Sequence, residues 1–218
     1  MPTYPFDPQH VMSELSRADR KLARAIRRIG PFPIEGRKPR PPFECLLEAI
    51  FYQQITGKAA QTILGRVKAL FDERRMPKPA EILAAPRAKL RRAGLSRQKI
   101  AAAKDLAKKT LDGTVPSLRE IRRMGDDEII ARLTAVHGIG EWSAQMFMIA
   151  WLLRPDILPV DDYGLRKGFA ELYGHKEVPK PKVILEHGER WRPYRSIASW
   201  YLWRVADQTS PRPKKKSP

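Results

Sequence analysis

The sequence predicts an all-α fold, a bundle of about ten helices joined by short connections. Three observations carry this. Apolar residues recur three and four positions apart through most of the chain. No segment alternates apolar and polar residues with the β-branched enrichment of a strand. Residues that cap helices precede these runs, and glycine or proline follows them. The 218 residues, 42% of them hydrophobic, suffice for one packed domain or for two small lobes sharing a core.

Asp7-Pro8 reads as a cap and a first-turn proline. Leu15, Leu22, Ile26 and Ile29 then keep helical spacing until Gly30-Pro31 stops the run. Residues 31–42 hold five prolines and several basic residues, and read as a linker or surface arm. A helix resumes near Phe43, with Leu46, Leu47, Ile50 and Phe51 on one face, and breaks at Gln53–Gly57. Ile63, Leu64, Val67, Leu70 and Phe71 form the next face, followed by short turns around Pro77–Pro79 and Pro86. Ser96 is placed to cap a helix that reaches Leu111 and ends at Gly113. Ser117 and Glu120 have capping-box spacing, and Asp126 is placed to cap the next helix. Beyond Asp162, helices are expected to Tyr173, from Lys182 to Trp191, and from Tyr194 to about Asp207. Residues 1–208 read as one folded unit, and residues 209–218 as a disordered basic tail.

The net charge is +18. Such an excess favours a polyanion, with nucleic acid the first candidate and an anionic membrane surface the second. Cys45 is the only cysteine, so an internal disulfide, a four-cysteine zinc site and an iron–sulfur cluster are excluded. It sits in an apolar run and reads as a small core residue. Met1–Asp7 lacks a basic-then-apolar signal pattern, and no stretch of 18 apolar residues exists. The expectation is an intracellular, DNA-associated monomer without a membrane segment, in a bacterial cytoplasm or a eukaryotic nucleus.

Residues 133–147, L-T-A-V-H-G-I-G-E-W-S-A-Q-M-F, place two glycines around one isoleucine between two helical runs, and P-V-D-D-Y follows at 159–163. Gly138 and Gly140 leave backbone amides unshielded at a helix start, which suits a phosphate. Ile139 is expected to plug inward. A plain helix–helix corner explains the glycines equally well, and two adjacent acids read by default as helix caps. Asp161 and Asp162 cannot both face one spot, so one is expected to cap the following helix and the other to face a cleft.

Further stretches change the balance. F-E-C-L-L-E-A-I-F-Y-Q-Q-I-T-G-K-A-A at 43–60, L-R-R-A-G-L-S-R-Q-K at 90–99, V-H-G-I-G-E-W-S-A at 136–144, L-P-V-D-D-Y-G-L-R-K-G-F at 158–169 and W-R-P-Y-R-S-I-A-S-W-Y-L-W at 191–203 resemble, in order, the helix-hairpin-helix DNA glycosylases. The resemblance is to the 3-methyladenine DNA glycosylase II, or alkylpurine, branch. It implies an all-helical catalytic unit of two lobes separated by a cleft. Some relatives add an N-terminal β-sheet domain, for which this sequence has too few residues before the first matching stretch.

The resemblance implies base-excision repair: a flipped, alkylated purine such as 3-methyladenine or 7-methylguanine is released by hydrolysis of its N-glycosidic bond. In the pattern D-D-Y the second aspartate is catalytic, which selects Asp162, whereas the V-D pattern of other branches would select Asp161. One carboxylate suffices, because it opposes the positive charge that builds on the sugar, and a cationic base leaves without a strong general acid. His10, His137, His175 and His187 are scattered and suggest no partner acid. The resemblance places Trp142 and Trp203 on the pocket walls, with Met146 one turn after Trp142 and with Tyr163 contributing; electron-rich rings suit a cationic purine. The bland alternative makes all of them core residues, as expected for Trp191 and Trp200. Relatives that cleave the DNA backbone carry a lysine at position 142, so Trp142 implies a monofunctional enzyme.

The turn at 53–56 resembles the family's wedge loop, with Gln54 or Ile55 as the plug, although a buried turn residue fits Ile55 nearly as well. Gly138, Ile139 and Gly140 are expected to hold a phosphate of double-stranded DNA, with Lys58, Arg97, Lys99, Arg166 and Lys167 as further backbone contacts. No cofactor or catalytic metal is implied beyond a monovalent cation on hairpin carbonyls. Two other readings stand beside this one: a glycosylase for deaminated or oxidised bases, and a non-catalytic hairpin that only binds DNA.

Overall fold

The computed structural model describes residues 6–33 and 39–209. Among them are thirteen α-helices and one turn of 3-10 helix, and no strand. The chain divides into two compact units, one formed by the N-terminal segment to residue 38 together with residues from 148 onward, the other by residues 39–147. Parts of the linker and tail expected from the sequence, residues 34–38 and 210–218, lie outside the described residues.

The first unit begins with α1 (Pro8–Ala18), whose Asp7 cap accepts from the Gln9 amide at 3.0 Å. The single run expected to Ile29 is in fact two helices, because Asp19 ends α1 and caps α2 (Arg20–Ile29). Its Oδ1 accepts from the amides of Lys21 and Leu22, both at 3.0 Å. An aspartate that binds the amides two and three residues ahead competes with helix continuation. The break was hidden because Leu15, Leu22 and Ile26 keep the same phase on both sides of it, and all three are buried.

The same unit holds α11 (Tyr163–Tyr173), α12 (Pro181–Gly188), the 3-10 turn Glu189–Trp191 and α13 (Arg195–Thr209). The helix expected from Lys182 to Trp191 therefore tightens into 3-10 geometry for its last turn. Trp191, Tyr201, Phe169, Leu165 and Leu202 are fully buried in its core. α11 and α13 pack backbone to backbone. A Cβ built on Gly168 would lie 1.9 Å from the Leu202 carbonyl oxygen, so only glycine fits there. Ser196 anchors the preceding connection, donating to Arg154 O at 2.7 Å and accepting from the Ile157 amide at 2.9 Å.

The second unit holds α3 (Pro42–Tyr52), α4 (Gly57–Lys68), α5 (Pro79–Ala84), α6 (Arg87–Arg92), α7 (Arg97–Leu111), α8 (Leu118–Ile121) and α9 (Asp126–Thr134); α10 (Glu141–Ala150) crosses the boundary. α7 runs through its core on Ile100, Ala103, Leu106 and Ala107, and Cys45 is buried as expected. Ser96 caps α7 and Ser117 with Glu120 closes a capping box on α8, as the spacing predicted. Three readings need correction. α4 stops at Lys68, leaving Leu70 and Phe71 in the following turn. The stretch around Pro79 and Pro86 forms two short helices rather than turns. There Glu81 accepts from the Lys78 amide at 2.6 Å and pairs with Arg75. Gly125, not Asp126, is the cap of α9.

Candidate active site

In the second unit, α9 and α10 are joined by residues 135–140. Gly138 has φ +81°, a conformation that side-chain-bearing residues rarely adopt, and a Cβ there would also lie a tight 3.1 Å from the Ala102 methyl. Ile139 is 5% exposed and plugs the turn, its amide donating to Val136 O at 3.0 Å. Gly140 is different. Its Cβ position is open space, and its carbonyl accepts the Ala144 amide as α10 begins. The first-turn amides of α10 thus start beside a backbone that nothing shields, which is the geometry that receives an anion.

Three side chains from outside the hairpin grip this turn, and none of them was expected from the sequence to do so. Asp105 Oδ2 accepts from the His137 amide at 2.7 Å and from Lys109 Nζ at 2.8 Å. Lys109 Nζ also donates to Ala135 O. Gln53 Nε2 donates to Gly138 O at 3.0 Å. Burial pushes the Asp105 carboxyl up, but Lys109 and the His137 amide outweigh it and hold it below the usual range. The Asp105–Lys109 spacing of four on a helix was a legible signal for a pair, though not for its target. The engaged carbonyls bear on the expected monovalent cation. Ala135 O and Gly138 O already accept from side chains, and Lys109 brings a positive charge to that side.

The Gln53 contact ties the hairpin to the neighbouring turn. There Gln54 is exposed with φ +55°, a left-handed conformation uncommon for a non-glycine residue. Ile55 is 37% exposed, so it is not a buried turn residue. Thr56 caps α4 by accepting from the Ala59 amide, and Lys58 stands exposed in the first turn of α4. Trp142 is 45% exposed on α10, with Met146 half-buried one turn further on the same face. Lys99 is otherwise engaged. Its Nζ donates to Phe51 O at 2.8 Å at the end of α3, and burial lowers its pKa. Arg97 is exposed.

In the first unit, Asp162 caps α11, and Oδ1 accepts from the Leu165 amide at 2.7 Å and from Trp203 Nε1 at 2.8 Å. The expected division of labour between the two acids fails in one respect: the residue singled out as catalytic is itself the helix cap, while Asp161 is exposed. A Cβ on Gly164 would come within 3.2 Å of Asp162 Oδ1 and 3.4 Å of Trp203 Cδ1, so glycine leaves this pair room. Tyr163 is 67% exposed, and Trp203 is half-buried against the core. Arg166 is half-buried and donates from Nε to Pro179 O at 3.0 Å, and Lys167 is also half-buried. Trp191 is fully buried and Trp200 packs edge-on against Phe32 at 5.2 Å.

Among the described residues no group of three His, Cys, Asp or Glu side chains could hold a metal ion, and no helix is long and apolar enough to cross a membrane.

The chain is similar to known proteins over most of its length. DNA-3-methyladenine glycosylase 1 of Schizosaccharomyces pombe is 35% identical over 206 residues, covering 92% of this chain and 90% of its own. A solved structure of the S. pombe 3-methyladenine DNA glycosylase in complex with abasic DNA matches with a TM-score of 0.82 at 32% identity, over 91% of this chain and 97% of that one. A DNA-3-methyladenine glycosidase from Bacillus halodurans matches with a TM-score of 0.83 at 32% identity, over 94% and 93% of the two chains. The model of the HhH-GPD superfamily of base excision DNA repair proteins matches residues 47–193, and the chain belongs to that family.

Proposed function

We propose that the protein excises alkylated purines from double-stranded DNA as a monofunctional glycosylase. The observation that carries the reading is the Asp162 carboxylate fixed by the Leu165 amide and the Trp203 indole. In the reaction the C1′–N bond breaks, and its electron pair leaves with the purine. An alkylated, cationic purine departs neutral. Water forms the new C1′–O bond and loses a proton. Asp162 opposes the positive charge that develops on the sugar, and a carboxylate already held in place need not reorganise as that charge appears. Trp142 and Trp203 offer aromatic faces to the cationic base, with Met146 and Tyr163 beside them in the chain. The hairpin amides at Gly138 and Gly140 grip a phosphate, and the strained Gln54 with Ile55 fills the vacated stack. Lys58 and Arg166 add backbone contacts. Tryptophan at position 142 offers no amine to attack the sugar, so the product is an abasic site in an intact strand. No step is routed through a metal.

The test uses duplexes carrying one defined lesion, without added metal, and reads abasic sites by alkaline cleavage. Release of 3-methyladenine-type or 7-methylguanine bases with strands intact before alkali is the expected result. Strand cleavage without alkali would overturn the monofunctional mechanism. Release confined to deaminated or oxidised bases would move the protein to another lesion class, and no release from any duplex would leave only DNA binding.

A further inference from the structure

We propose that the exposed face of α2 is a second phosphate-binding surface, which takes the backbone of a DNA segment away from the base being excised. The inference rests on the reading of the protein as a DNA enzyme. α2 carries Arg20, Lys21, Arg24, Arg27 and Arg28 and no acidic residue, and all five cations are exposed. At about 100° per residue they share an arc of about 120°, and Leu22, Ala23, Ala25 and Ile26 bury the opposite side. Arg20, Arg24 and Arg28 run about 12 Å along the axis, matching about three to four phosphates of one strand.

Five other helices each pair a cation with a carboxylate in the same helix, whereas α2, like α4 and the short α6, carries no acidic residue to pair with. Arg17, Lys109, Arg132, Lys182 and Arg204 each pair with a carboxylate three or four residues away. On α2 the corresponding neighbours, 20 with 24, 21 with 24, 24 with 27 and 24 with 28, are all of like charge, which weakens a helix. Arg20 also stands at the end that the helix dipole makes unfavourable for a cation. Arg27 and Arg28 suit the C-terminal end of the helix dipole, but the like-charge pairs around Arg24 and the position of Arg20 bring the helix no stability. Lys21 is engaged by the Tyr173 carbonyl at 2.9 Å, which closes the far end of α11. Arg20, Arg24, Arg27 and Arg28 have no carboxylate partner among the described residues.

Lys21, Arg24 and Arg28 border an open depression of about 380 Å³ whose other wall includes Glu171 and Leu172 of α11. Those residues stand at the opposite end of α11 from Asp162, about 14 Å along the helix, so the surface is separate from the candidate catalytic acid. The apolar side of α2 is already buried in protein. The helix therefore has no face to insert into a bilayer, and the charge pattern suits a nucleic-acid backbone over a membrane.

The test compares Arg20→Gln/Arg24→Gln/Arg28→Gln with a control of equal charge change in the same unit, Lys176→Gln/Lys180→Gln/Lys182→Gln. Affinity for an undamaged duplex is measured by fluorescence anisotropy over a series of potassium chloride concentrations. The α2 variant should bind about tenfold or more weakly at low salt, and its slope of log affinity against log salt should flatten by about 2–3, against under about 1 for the control. Equal behaviour of the two variants, or a slope like wild type, overturns the proposal. So does loss of binding to vesicles of 30% phosphatidylserine in phosphatidylcholine with duplex binding intact, which would assign the face to a membrane. Should the triple variant melt early, Arg24→Gln, at the centre of all four like-charge pairs, carries the same test with a slope change of about 1. The undamaged duplex keeps the two readings apart. Absence of base release from lesion duplexes refutes the glycosylase and leaves this binding result standing, and the reverse also holds.

Discussion

Substitutions at Asp162 separate charge from geometry. Two donors to this side chain, the Leu165 amide and Trp203 Nε1, converge on one oxygen, Oδ1. Asparagine can present its own carbonyl oxygen to both, and it is as good a helix cap as aspartate. Asp162→Asn therefore keeps these two contacts, with a stability change expected under about 1 kcal/mol, and removes the negative charge. Losing one preorganised group of this kind costs about 3–4 kcal/mol at the transition state, a fall of roughly 10²–10³-fold in release rate. Asp162→Ala removes the cap, worth about 1 kcal/mol, and strips the half-buried indole N–H of this acceptor at about 1–3 kcal/mol more. For a chain of this size that sum lowers the melting temperature by roughly 4–16 °C. The assay pairs single-turnover release of 7-methylguanine with thermal unfolding of each variant. The reasoning fails if the asparagine variant releases base at the normal rate, or if asparagine and alanine destabilise equally. Asp161→Asn completes the set: Asp161 is exposed and should retain release, and its inactivity would transfer the role to Asp161.

Three further outcomes are expected. Gly168→Ala drives a methyl into the Leu202 carbonyl, 1.9 Å from the Cβ position, and should cost at least about 3 kcal/mol; a melting temperature within about 2 °C of wild type would contradict the packing described for α11 and α13. Trp142→Ala removes an exposed aromatic face and should slow release of cationic bases by roughly 5–30-fold, about 1–2 kcal/mol; an equal loss of affinity for undamaged duplex would make Trp142 merely structural. Asp19 should make stability depend on acid pH. Burial pushes its carboxyl up, but His187, Tyr173, the Leu22 amide and Trp191 outweigh this and hold it well below the usual range. A folded-state pKa below the unfolded value gives stability that is complete above about pH 5 and is lost as pH falls below about 4. Urea unfolding from pH 7 to pH 3 should show that loss, and a pH-independent midpoint would remove Asp19 as its source.

What was legible in the sequence was mostly local. Ser96, Ser117 with Glu120, and the glycines of the hairpin act within four residues of themselves, and their spacing found α7, α8 and the turn after α9. Family resemblance brought Asp162, Trp142 and Trp203 forward as a group. The ties that hold those elements were not legible, because they join distant positions. Trp203 reaches Asp162 across 41 residues, His137 reaches Asp105 across 32, and Gln53 reaches Gly138 across 85. The clearance that requires glycine at 168 depends on the path of α13, which periodicity does not contain. At Asp19 the failure had the opposite cause: apolar phase continued through a break that one polar side chain imposed.

Asp19 and Asp162 show why residue type alone does not specify a role. Each caps a helix in the same unit, and each receives an indole N–H, from Trp191 and Trp203 respectively. At Asp162 the Leu165 amide and Trp203 Nε1 meet one oxygen, so these contacts ask for an acceptor there, and a neutral amide can supply it. At Asp19 the two oxygens divide the work. Oδ1 takes the Lys21 and Leu22 amides, while Oδ2 takes Tyr173 at 2.5 Å, His187 at 2.8 Å and Trp191 at 3.2 Å. An asparagine would have to turn its NH₂ toward one of these sets of donors, so the position demands both oxygens of a carboxylate. Asp19 is 5% exposed, whereas Asp162 is only half-buried and stands beside an exposed Tyr163. The charge of Asp19 is thus consumed by the fold, and structure alone explains its presence. The helix cap and the Trp203 indole need from Asp162 only an oxygen. These two contacts make no use of its charge, and the proposed reaction does, by opposing a cationic sugar.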